Sequence, residues 1–457
     1  MPRSNTVLFI SAGLFSPKKR DHPLARRQLY LNYGALSLAT QLHKQGLDTK
    51  LVHGEHDDPK EFLTSLISDG LIPSAYPIML SIPSFYALGW TKAFCYELRA
   101  FDPEAHIILG GRWVTSPDPD WLAQHIPQSD RIICGLANNK INGLLGLKNE
   151  IIDGGDLPEV PLDHRLVRNF QLFQPSLEAS RGCGMGCKFC EERDISLGRL
   201  KSPSRLASDL ASLQDQYGDR NIRPYLQSSY FLPNPRWAKE FREEMERRKL
   251  TIQWRTETRV DSMLTETVGH LAAAGLKVID LGLESASPAQ ILAMRKSKYP
   301  EKYLAAASRL IQDCAANDIN VKINILLYAG ETERTLSETT SWLDAHASCI
   351  KGVSVGPVIT YGPPKQASPL LAELTSQGAR PVDPNSAQHT GVTHLHLSDT
   401  LDADAAEGES LRISRRYMTR DEYFELKAFS YYPRNYTRTD FDADIANSPK
   451  DRLPFQI

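Results

Sequence analysis

The chain has 457 residues, of which 41% are apolar and 24% are charged, and its formal net charge is −2. This composition is typical of a soluble globular protein of two or three domains and excludes a disordered chain. The near-neutral charge provides no field that attracts nucleic acid, and no apolar run reaches the roughly 20 residues of a membrane span. The N-terminus lacks the apolar core of a signal peptide, and seven cysteines do not form a disulfide pattern, so we expect a cytoplasmic protein.

The first 150 residues alternate strand-like and helix-like segments. Residues 6–13 and 76–84 are compact apolar runs typical of buried strands, and residues 33–46 have the apolar spacing of a helix. This alternation predicts a doubly wound parallel sheet with helices on both faces. Ligands bind such sheets at the carboxyl ends of the strands, where this chain carries the stretches SAG, SIPS and LGGR.

A second alternating region follows a connector. Residues 151–175 contain several prolines without a clean period, and we interpret them as the connector. Residues 176–365 hold six strand candidates separated by helices, which predicts a partial (β/α)6 barrel with its chemistry at one end of the strands. In residues 366–457 the pattern weakens into a loop and helical segment. The stretch GPPKQASP, which begins at residue 362, and the later stretch SDTLDADAAEGES are interpreted as loops. The stretch TRDEYFELKAFSYYP is interpreted as a final helix that could cap the barrel.

Three cysteines lie within eight residues, at Cys183, Cys187 and Cys190. A structural zinc site needs four ligands, and the next cysteine, Cys314, is distant and has no partner cysteine nearby. Three thiolates suit a [4Fe–4S] cluster better, because one iron then keeps an open position for a substrate or cofactor. The interleaved glycines allow the loop to fold around such a bulky group.

The stretch Cys183-Gly-Met-Gly-Cys187-Lys-Phe189-Cys190 resembles the cluster motif of radical S-adenosylmethionine enzymes, including the aromatic residue before the third cysteine. The later stretches RTETRVDSM, AGLKVIDLGLES and YAGETERTL follow in the order of the subgroup with an N-terminal cobalamin-binding domain, and the resemblance covers roughly residues 6–360. It implies that the open iron binds S-adenosylmethionine and that its reductive cleavage yields a 5′-deoxyadenosyl radical. That radical abstracts hydrogen from an unactivated carbon.

The resemblance also implies residues that contact S-adenosylmethionine. Arg259 is a candidate partner of the methionine carboxylate, with an ion pair to Glu257 or Asp261 as the alternative, and Glu284 is a candidate for a ribose hydroxyl or the amino group. Phe189 either packs on the adenine or cluster edge or is an ordinary core residue. Acidic residues common after the second strand are replaced here by hydroxyl and amide groups, which still accept from an ammonium. These and the backbone candidate beside the adenine are Gln227, Ser228, Ser229 and Gly330.

For the N-terminal domain, the resemblance implies cobalamin binding without identifying a cobalt ligand. The motif Asp-x-His-x-x-Gly, whose histidine ligates cobalt, is absent: Asp21-His22-Pro23 lacks the spacing, and HGEHDD (53–58) follows a different strand. Four residues match the positions where the family binds the cofactor tail, and tight turns in an open sheet are the alternative explanation. They are Ser81, Ser84, Gly110 and Gly111.

Three functions remain open at this point. The first is a cobalamin-dependent methyltransferase of a biosynthetic pathway, acting on a small molecule or peptide and reduced by a donor such as flavodoxin or ferredoxin. The second keeps the radical chemistry for a rearrangement, cyclisation or heteroatom exchange, with the N-terminal domain as a scaffold. The third is a non-enzymatic protein whose three cysteines hold zinc or a sensing cluster.

Overall fold

The computed structural model divides into two compact units, one of them Met1–Phe173 with Tyr361–Gln366 and the other Gln174–Thr360 with Ala367–Ile457. Residues 151–160 of the predicted connector lie outside the described residues. The rest of that connector contains two short 3-10 turns, His164–Leu166 and Phe170–Leu172. The structure describes residues 2–17, 21–115, 119–147 and 161–456.

The first unit is built on a five-stranded parallel sheet in the order β2-β1-β3-β4-β5. Its strands are β1 (Val7–Ser11), β2 (Thr49–His53), β3 (Ile78–Ser81), β4 (Ile107–Gly110) and β5 (Arg131–Ile132). Its helices are α1 (Pro23–Arg26), α2 (Tyr33–Lys44), α3 (Pro59–Ser68), α4 (Leu88–Phe101), α5 (Pro119–His125) and α6 (Ile141–Leu144). The predicted doubly wound sheet is confirmed, although β5 has only two residues and was missed because so short a strand carries no period.

Successive residues of β1 pack into different apolar clusters, as expected for a sheet covered on both faces. Leu8 and Ile10 join the cluster that includes Trp90 of α4, whereas Val7 and Phe9 join the cluster of α2. The order of the strands reverses between β1 and β3. This reversal places a ligand-binding crevice outside the carboxyl ends of these two strands.

The second unit is built on a six-stranded parallel sheet in sequential order, which confirms the predicted β/α region. Its strands are β6 (Ser176–Glu178), β7 (Tyr225–Gln227), β8 (Trp254–Arg259), β9 (Leu276–Glu284), β10 (Asn320–Leu327) and β11 (Gly352–Pro357). Its helices up to β11 are α7 (Pro203–Tyr217), α8 (Pro235–Arg247), α9 (Thr265–Ala273), α10 (Pro288–Ala293), α11 (Pro300–Ala316) and α12 (Glu333–Ala345).

Alternate residues of these strands point to opposite faces, and the two faces differ in polarity. The outward face is apolar and joins the main core through residues such as Leu226, Trp254 and Ile279. The inward face is polar: Arg255 of β8 donates from Nε and Nη2 to Asp280 of β9 at 2.6 and 2.8 Å. Lys322 of β10 donates to the same carboxylate at 3.0 Å. Although burial alone raises the pKa of Asp280, the charges of Arg255 and Lys322 lower it well below its usual range.

The segment after β11 is more helical than the sequence predicted. The stretches GPPKQASP and SDTLDADAAEGES, interpreted as loops, lie largely within helices α13 and α15, because their apolar residues are too sparse to show a helical period until the chain packs them. The predicted last helix is α16, and one more helix follows it. The elements are α13 (Pro364–Ser376), β12 (Arg380–Pro381), α14 (Pro384–Thr390), β13 (Leu395–His396), α15 (Ala403–Arg416), α16 (Arg420–Ser430) and α17 (Arg438–Ala446).

Helix α16 closes the amino ends of the barrel strands, the end opposite to the expected chemistry. Its Leu426 carbonyl accepts from Arg255 Nη1 at 2.7 Å, and its Ala428 carbonyl accepts from Gln174, just before β6, at 3.3 Å. The C-terminal half of a helix carries negative partial charge, which suits the Arg255 guanidinium. The aromatic tail therefore caps the barrel away from its mouth. Within the described residues, no helix is long and apolar enough to cross a membrane.

Candidate functional site

The three cysteines lie on a loop that follows β6 at the carboxyl end of the barrel. The loop folds back on itself, because the Cys183 amide donates to the Ile195 carbonyl at 2.9 Å and the Gly198 amide donates to the Arg181 carbonyl at 2.8 Å. The Cys190 amide donates to the Cys187 carbonyl at 3.1 Å, which forms the turn between the last two thiols. The loop is also held from outside by the Lys188 amide, which donates to the Met294 carbonyl at 3.0 Å.

Gly182 is required by this fold-back. Its φ of 71° lies in the left-handed region, and a Cβ atom there would stand 2.1 Å from the Ser196 carbonyl oxygen. Gly186 also has a positive φ, of 70°, but no atom lies within 4 Å of the place a Cβ would take. The glycines therefore serve different purposes: Gly182 allows two backbones to touch, and Gly186 allows the turn between the first two cysteines.

The three thiols lie close enough for their charges to interact. Burial, with a smaller contribution from the charges of Cys187 and Cys183, raises the pKa of Cys190 to about 11. Burial also raises the pKa of Cys183, whereas the charges of Arg259 and Lys296 lower it. Both groups are therefore protonated thiols at neutral pH, and binding of iron must release those protons.

The thiols fit a cluster better than a single ion. Among the described residues, no three His, Cys, Asp or Glu side chains converge on one point as ligands of a metal ion. A closed zinc site needs four ligands around one ion, whereas this loop supplies three cysteines. A cubane cluster places each thiolate on a different iron, so a donor set of three closely spaced thiols suits it.

Arg259 is the cation at the end of β8, and most of its donors are occupied. Nε and Nη2 donate to the two oxygens of Asp261 at 2.9 Å each, and Nη2 also donates to the Lys296 carbonyl at 2.7 Å. Nη1 donates to the Cys187 sulfur at 3.4 Å. The pair with Asp261 corresponds to the alternative considered for this residue, although Arg259 is buried rather than at the surface. A cation that donates to a ligand sulfur tunes the reduction potential of a cluster.

Glu284 ends β9 in an unusual backbone conformation and forms a buried ion pair. Its φ is 64°, a left-handed value that costs a residue with a side chain of order 1 kcal/mol or more. Its Oε1 accepts from Lys296 Nζ at 3.1 Å, and both side chains are largely buried. Gly282 leaves room for the pair, because a Cβ there would stand 2.7 Å from the Glu284 carboxylate and 3.2 Å from Lys296 Nζ. Sequence reasoning singled out Glu284 and missed Lys296.

The residues at the end of β7 have structural partners. Ser228 is buried and its hydroxyl is 2.5 Å from the hydroxyl of Ser180, which ties the end of β7 to the start of the cysteine loop. Gln227 Nε2 donates to Ser176 Oγ at 2.9 Å inside the barrel. Ser229 follows in a turn and is half-buried. A role for these three residues toward an ammonium remains a prediction.

Unsatisfied polar atoms surround the turn after β10. Phe189 packs edge to face on Tyr328 with ring centroids 6.5 Å apart, and Gly330 has a φ of 74° and donates its amide to the Leu397 carbonyl at 2.8 Å. The Tyr328 hydroxyl and the Gln290 side-chain oxygen are buried without a hydrogen-bond partner among the described residues. Buried polar atoms normally have hydrogen-bond partners, so these two atoms are consistent with a ligand that forms hydrogen bonds beside the turn.

In the first unit, a polar cluster lies at the β1/β3 switch point. Asn32 Nδ2 donates to Ser11 Oγ at 3.1 Å and to Ser81 Oγ at 3.0 Å, so one amide joins the ends of both strands. Asn32 Oδ1 accepts from the Ala35 amide at 3.0 Å and caps α2. The Asn32 amide itself donates to Nε2 of His53, the last residue of β2, at 3.0 Å. Sequence reasoning found Ser81 and missed Asn32, whose only signal was its N-cap position.

The same edge of the sheet carries buried polar atoms that have no hydrogen-bond partner among the described residues. Ser84, just after β3, begins a 3-10 turn without capping it, and its hydroxyl is one of these atoms. Gly110 has open space where a Cβ would lie, with its nearest neighbour at 3.8 Å, whereas a Cβ on Gly111 would stand 2.6 Å from the Ile82 amide. Gly111 thus serves the sheet itself. The other such atoms along this edge are Ser37 Oγ, His53 Nδ1 and Trp113 Nε1.

Two histidines near this edge, His53 and His22, already use an accepting nitrogen in a hydrogen bond to a backbone amide. His53 is buried, burial lowers its pKa to about 3, and its Nε2 already accepts from Asn32. His22 Nδ1 accepts from the Ala25 amide at 3.3 Å as the cap of α1. His56 Nδ1 instead donates to the Leu14 carbonyl at 2.9 Å, so Nε2 is the accepting nitrogen of this ring.

Comparison with known proteins supports the family. Residues 177–343 match the sequence model of the radical SAM superfamily. No curated protein matches the chain. The predicted resemblance to radical S-adenosylmethionine enzymes is confirmed for this region, which contains the three cysteines and every candidate from Phe189 to Gly330.

Solved structures share the fold across both units. The radical S-adenosylmethionine methyltransferase TsrM from Kitasatospora setae, with cobalamin and a [4Fe–4S] cluster bound, aligns with a TM-score of 0.64 at 15% identity over 92% of this chain and 90% of that one. Its complex with tryptophan substrate and a S-adenosylmethionine analogue aligns with a TM-score of 0.60 at 17% identity, over 80% and 77% of the two chains.

The cobalamin-dependent S-adenosylmethionine radical enzyme OxsB, with aqua-cobalamin and S-adenosylmethionine bound, aligns with a TM-score of 0.57 at 16% identity over 74% of this chain. The alignment spans only about half of OxsB, 52% of its chain. Residues 177–343 are thus a radical SAM domain, in a chain whose fold is shared with solved members of that superfamily that bind cobalamin.

Proposed function

We propose that the protein is a cobalamin-dependent radical S-adenosylmethionine enzyme that transfers a methyl group to an unactivated carbon. The observation that carries this proposal is the folded-back loop that bears three closely spaced cysteines at the carboxyl end of the first strand of a parallel barrel. Three protein ligands leave one iron of a [4Fe–4S] cluster open. The substrate is a small molecule or peptide of a biosynthetic pathway.

The residues of the barrel hold and tune the cluster. Cys183, Cys187 and Cys190 bind one iron each, and Gly182 keeps the loop folded back against 195–197. Arg259 donates to the Cys187 sulfur, which stabilises added negative charge on the reduced cluster. When bound, the cluster supplies the electron that cleaves S-adenosylmethionine. The packed rings of Phe189 and Tyr328 shield the site next to Cys190 from water.

Cobalamin suits the polar edge of the first unit, by which we mean the carboxyl ends of β1 and β3 with Asn32, Ser81 and Ser84. The switch point between β1 and β3 is the ligand crevice of this sheet type, and Ser84 presents an unsatisfied buried hydroxyl there. Gly110 has room for close approach of a ligand. When bound, cobalamin supplies the carrier of the methyl group. Because His53 Nε2 is occupied by Asn32, cobalt receives no histidine from this position.

The proposal includes a reductant and a compartment. A flavodoxin or ferredoxin supplies the electrons, since the described chain contains one group of three closely spaced cysteines and the other four are dispersed. All seven cysteines are free thiols. Free thiols and an open cluster persist in a reducing compartment, so the protein acts in the cytoplasm.

Anaerobic reconstitution tests this function. We expect about four irons per chain, as in a [4Fe–4S] cluster, and an absorption spectrum of bound cobalamin after addition of hydroxocobalamin. Iron without tight cobalamin binding would contradict the methyl-transfer part and leave the radical chemistry.

The second candidate function is a radical rearrangement, cyclisation or heteroatom exchange without methyl transfer. The hydrogen bond from the Asn32 amide to His53 Nε2 favours it, because His53 then offers cobalt no accepting nitrogen and the first unit serves as a scaffold. The products of S-adenosylmethionine separate the two functions. Methyl transfer releases 5′-deoxyadenosine together with S-adenosylhomocysteine, whereas the alternative releases 5′-deoxyadenosine alone.

A further inference from the structure

Lys296 is a buried cation beside the cysteine loop. Its side chain is only 6% exposed, and its Nζ lies 3.1 Å from Glu284 Oε1 and 5.9 Å from the centre of the Phe189 ring. Burial of an ammonium is costly unless it is paired. The single carboxylate of Glu284, itself 14% exposed, provides that pairing.

The backbone fixes Lys296 in this position. It follows α10, and its amide donates to the Ile291 carbonyl at 2.9 Å, which terminates the helix. The preceding residue, Arg295, has a left-handed backbone with a φ of 52°. The Lys296 carbonyl accepts from Arg259, and the neighbouring Met294 carbonyl accepts from the Lys188 amide within the cysteine loop. The segment that carries Lys296 is therefore attached to the loop and to the cation that contacts Cys187.

Of the two cations whose charges act on Cys183, Lys296 has more donors left for a ligand than Arg259. Arg259 uses four of its five donors on Asp261, Lys296 and Cys187. Lys188 is paired with Glu373. The ammonium of Lys296 has three donors, and among the described residues it donates one hydrogen bond, to Glu284.

We infer that Lys296 binds the methionine carboxylate of S-adenosylmethionine and that Glu284 positions it. This inference rests on the proposed function and changes the assignment predicted for Arg259. The amino-acid part of S-adenosylmethionine carries an ammonium and a carboxylate side by side, and the site offers the complementary pair, Glu284 and Lys296. In the free protein the two side chains neutralise each other.

The strain at Glu284 supports a role of this pair in binding. A left-handed backbone at the last residue of a strand is unusual for glutamate, and it coincides with an irregular register between β9 and β10 at Ile325. Such strain concentrates at ligand sites because the surrounding structure has to maintain it. At Glu284 the strained backbone directs the carboxylate to Lys296, and the missing side chain of Gly282 leaves room for the pair.

The test compares two ligands in two variants. The reduced, cluster-loaded protein is titrated with S-adenosylmethionine and with its decarboxylated analogue, and binding is followed by the change in the electron paramagnetic resonance spectrum of the cluster. The variants are Lys296→Gln and the matched control Lys298→Gln, an exposed lysine two residues away. Iron content and circular dichroism establish that each variant is folded and loaded.

We expect Lys296→Gln to weaken binding of S-adenosylmethionine by about ten- to a hundredfold, the range for a lost charge-assisted hydrogen bond, and to leave the analogue unchanged. The preference of the protein for the carboxylated ligand then falls by the same factor, and Lys298→Gln behaves as wild type. Lys296→Arg keeps the charge and should retain most of the affinity for S-adenosylmethionine. This variant replaces Lys296→Gln in the test if the glutamine variant does not fold.

An unchanged preference in Lys296→Gln would overturn the inference. So would a preference that collapses in Arg259→Lys instead. If the wild-type cluster shows no spectral response to S-adenosylmethionine, the proposed function itself fails, and this outcome is distinct from the other two.

Discussion

The inward face of the barrel and the polar edge of the first unit treat their polar groups in opposite ways. Inside the barrel, charges neutralise one another: Arg255 and Lys322 share Asp280, and Lys296 pairs with Glu284. At the polar edge of the first unit, Ser84 and His53 keep buried atoms without a hydrogen-bond partner among the described residues.

The difference indicates two ways of preparing a site. A paired interior is stable without a ligand and exchanges partners when a charged ligand enters. An edge with unsatisfied polar atoms costs free energy in the empty protein, and this cost is relieved by a ligand that supplies the missing hydrogen bonds. We therefore expect substitutions in the barrel to affect the free energy of unfolding more, and substitutions at the edge to affect ligand binding more.

The largest effect should come from the cysteine loop. Replacement of any one of Cys183, Cys187 or Cys190 by alanine removes one of three protein ligands, and we expect iron content and S-adenosylmethionine cleavage to fall to background. Iron analysis and detection of 5′-deoxyadenosine measure both. Cys349→Ala is the control, because this half-buried thiol lies elsewhere, and it should keep full iron. Retention of four irons in a loop variant would contradict the assignment of ligands.

Breaking the paired interior should cost the most stability. Asp280→Asn leaves Arg255 and Lys322 buried without their carboxylate, and we expect the free energy of unfolding to fall by about 3–5 kcal/mol. Urea unfolding followed by circular dichroism measures the change. The exposed pair Arg236–Glu240 provides the control: Glu240→Gln should leave the midpoint unchanged. Equal effects of the two variants would show that the barrel does not depend on its internal pairing.

The buried carboxyl of Glu331, in the same unit, should make the stability of the protein depend on pH. Burial raises its pKa from 4.5 to about 7, while Thr335 donates to its Oε1 at 2.5 Å. The folded protein therefore holds this carboxyl protonated where the unfolded chain ionises it. Its contribution to stability is complete below pH 4.5, is lost as the pH rises to about 7, and reaches at most about 3 kcal/mol.

Glu331→Gln should remove this loss, so that the variant gains stability relative to wild type as the pH rises from 5 to 8. Thermal unfolding across this range gives the measurement. Parallel pH profiles for the two proteins would show that the carboxyl is ionised in the folded state.

The smallest effect on stability is expected at the polar edge. Ser84→Ala removes a buried hydroxyl that has no partner among the described residues, so the empty protein should be as stable as wild type or slightly more so. Cobalamin affinity should fall about tenfold, since one hydrogen bond is lost. Ser65→Ala is the control: its hydroxyl donates to the Phe62 carbonyl at 2.8 Å, and its loss should leave cobalamin binding unchanged. Destabilisation by Ser84→Ala without a change in cobalamin affinity would argue for a structural hydroxyl.

Much of the fold was predictable because its signals are local. The strands of both sheets are continuous apolar or alternating runs, and the spacing of Cys183, Cys187 and Cys190 is a property of the sequence itself. The helices after β11 were harder, since α13 and α15 carry few apolar residues and owe their stability to packing.

The contacts of the site were less predictable because they join distant segments. Lys296 reaches Glu284 across a helix, and Asn32 meets Ser81 from 49 residues away. Arg259 was found from its place at the end of a strand, but its commitment to Asp261 and Cys187 depends on side-chain geometry that no spacing encodes.

The central claim is that one chain combines a cluster that cleaves S-adenosylmethionine with a cobalamin that carries a methyl group. The most direct measurement is the set of products formed when the reduced protein, loaded with cluster and cobalamin, is incubated with S-adenosylmethionine in the absence of air. The account predicts both 5′-deoxyadenosine and S-adenosylhomocysteine. A fully loaded protein that releases 5′-deoxyadenosine alone, or neither product, would contradict it.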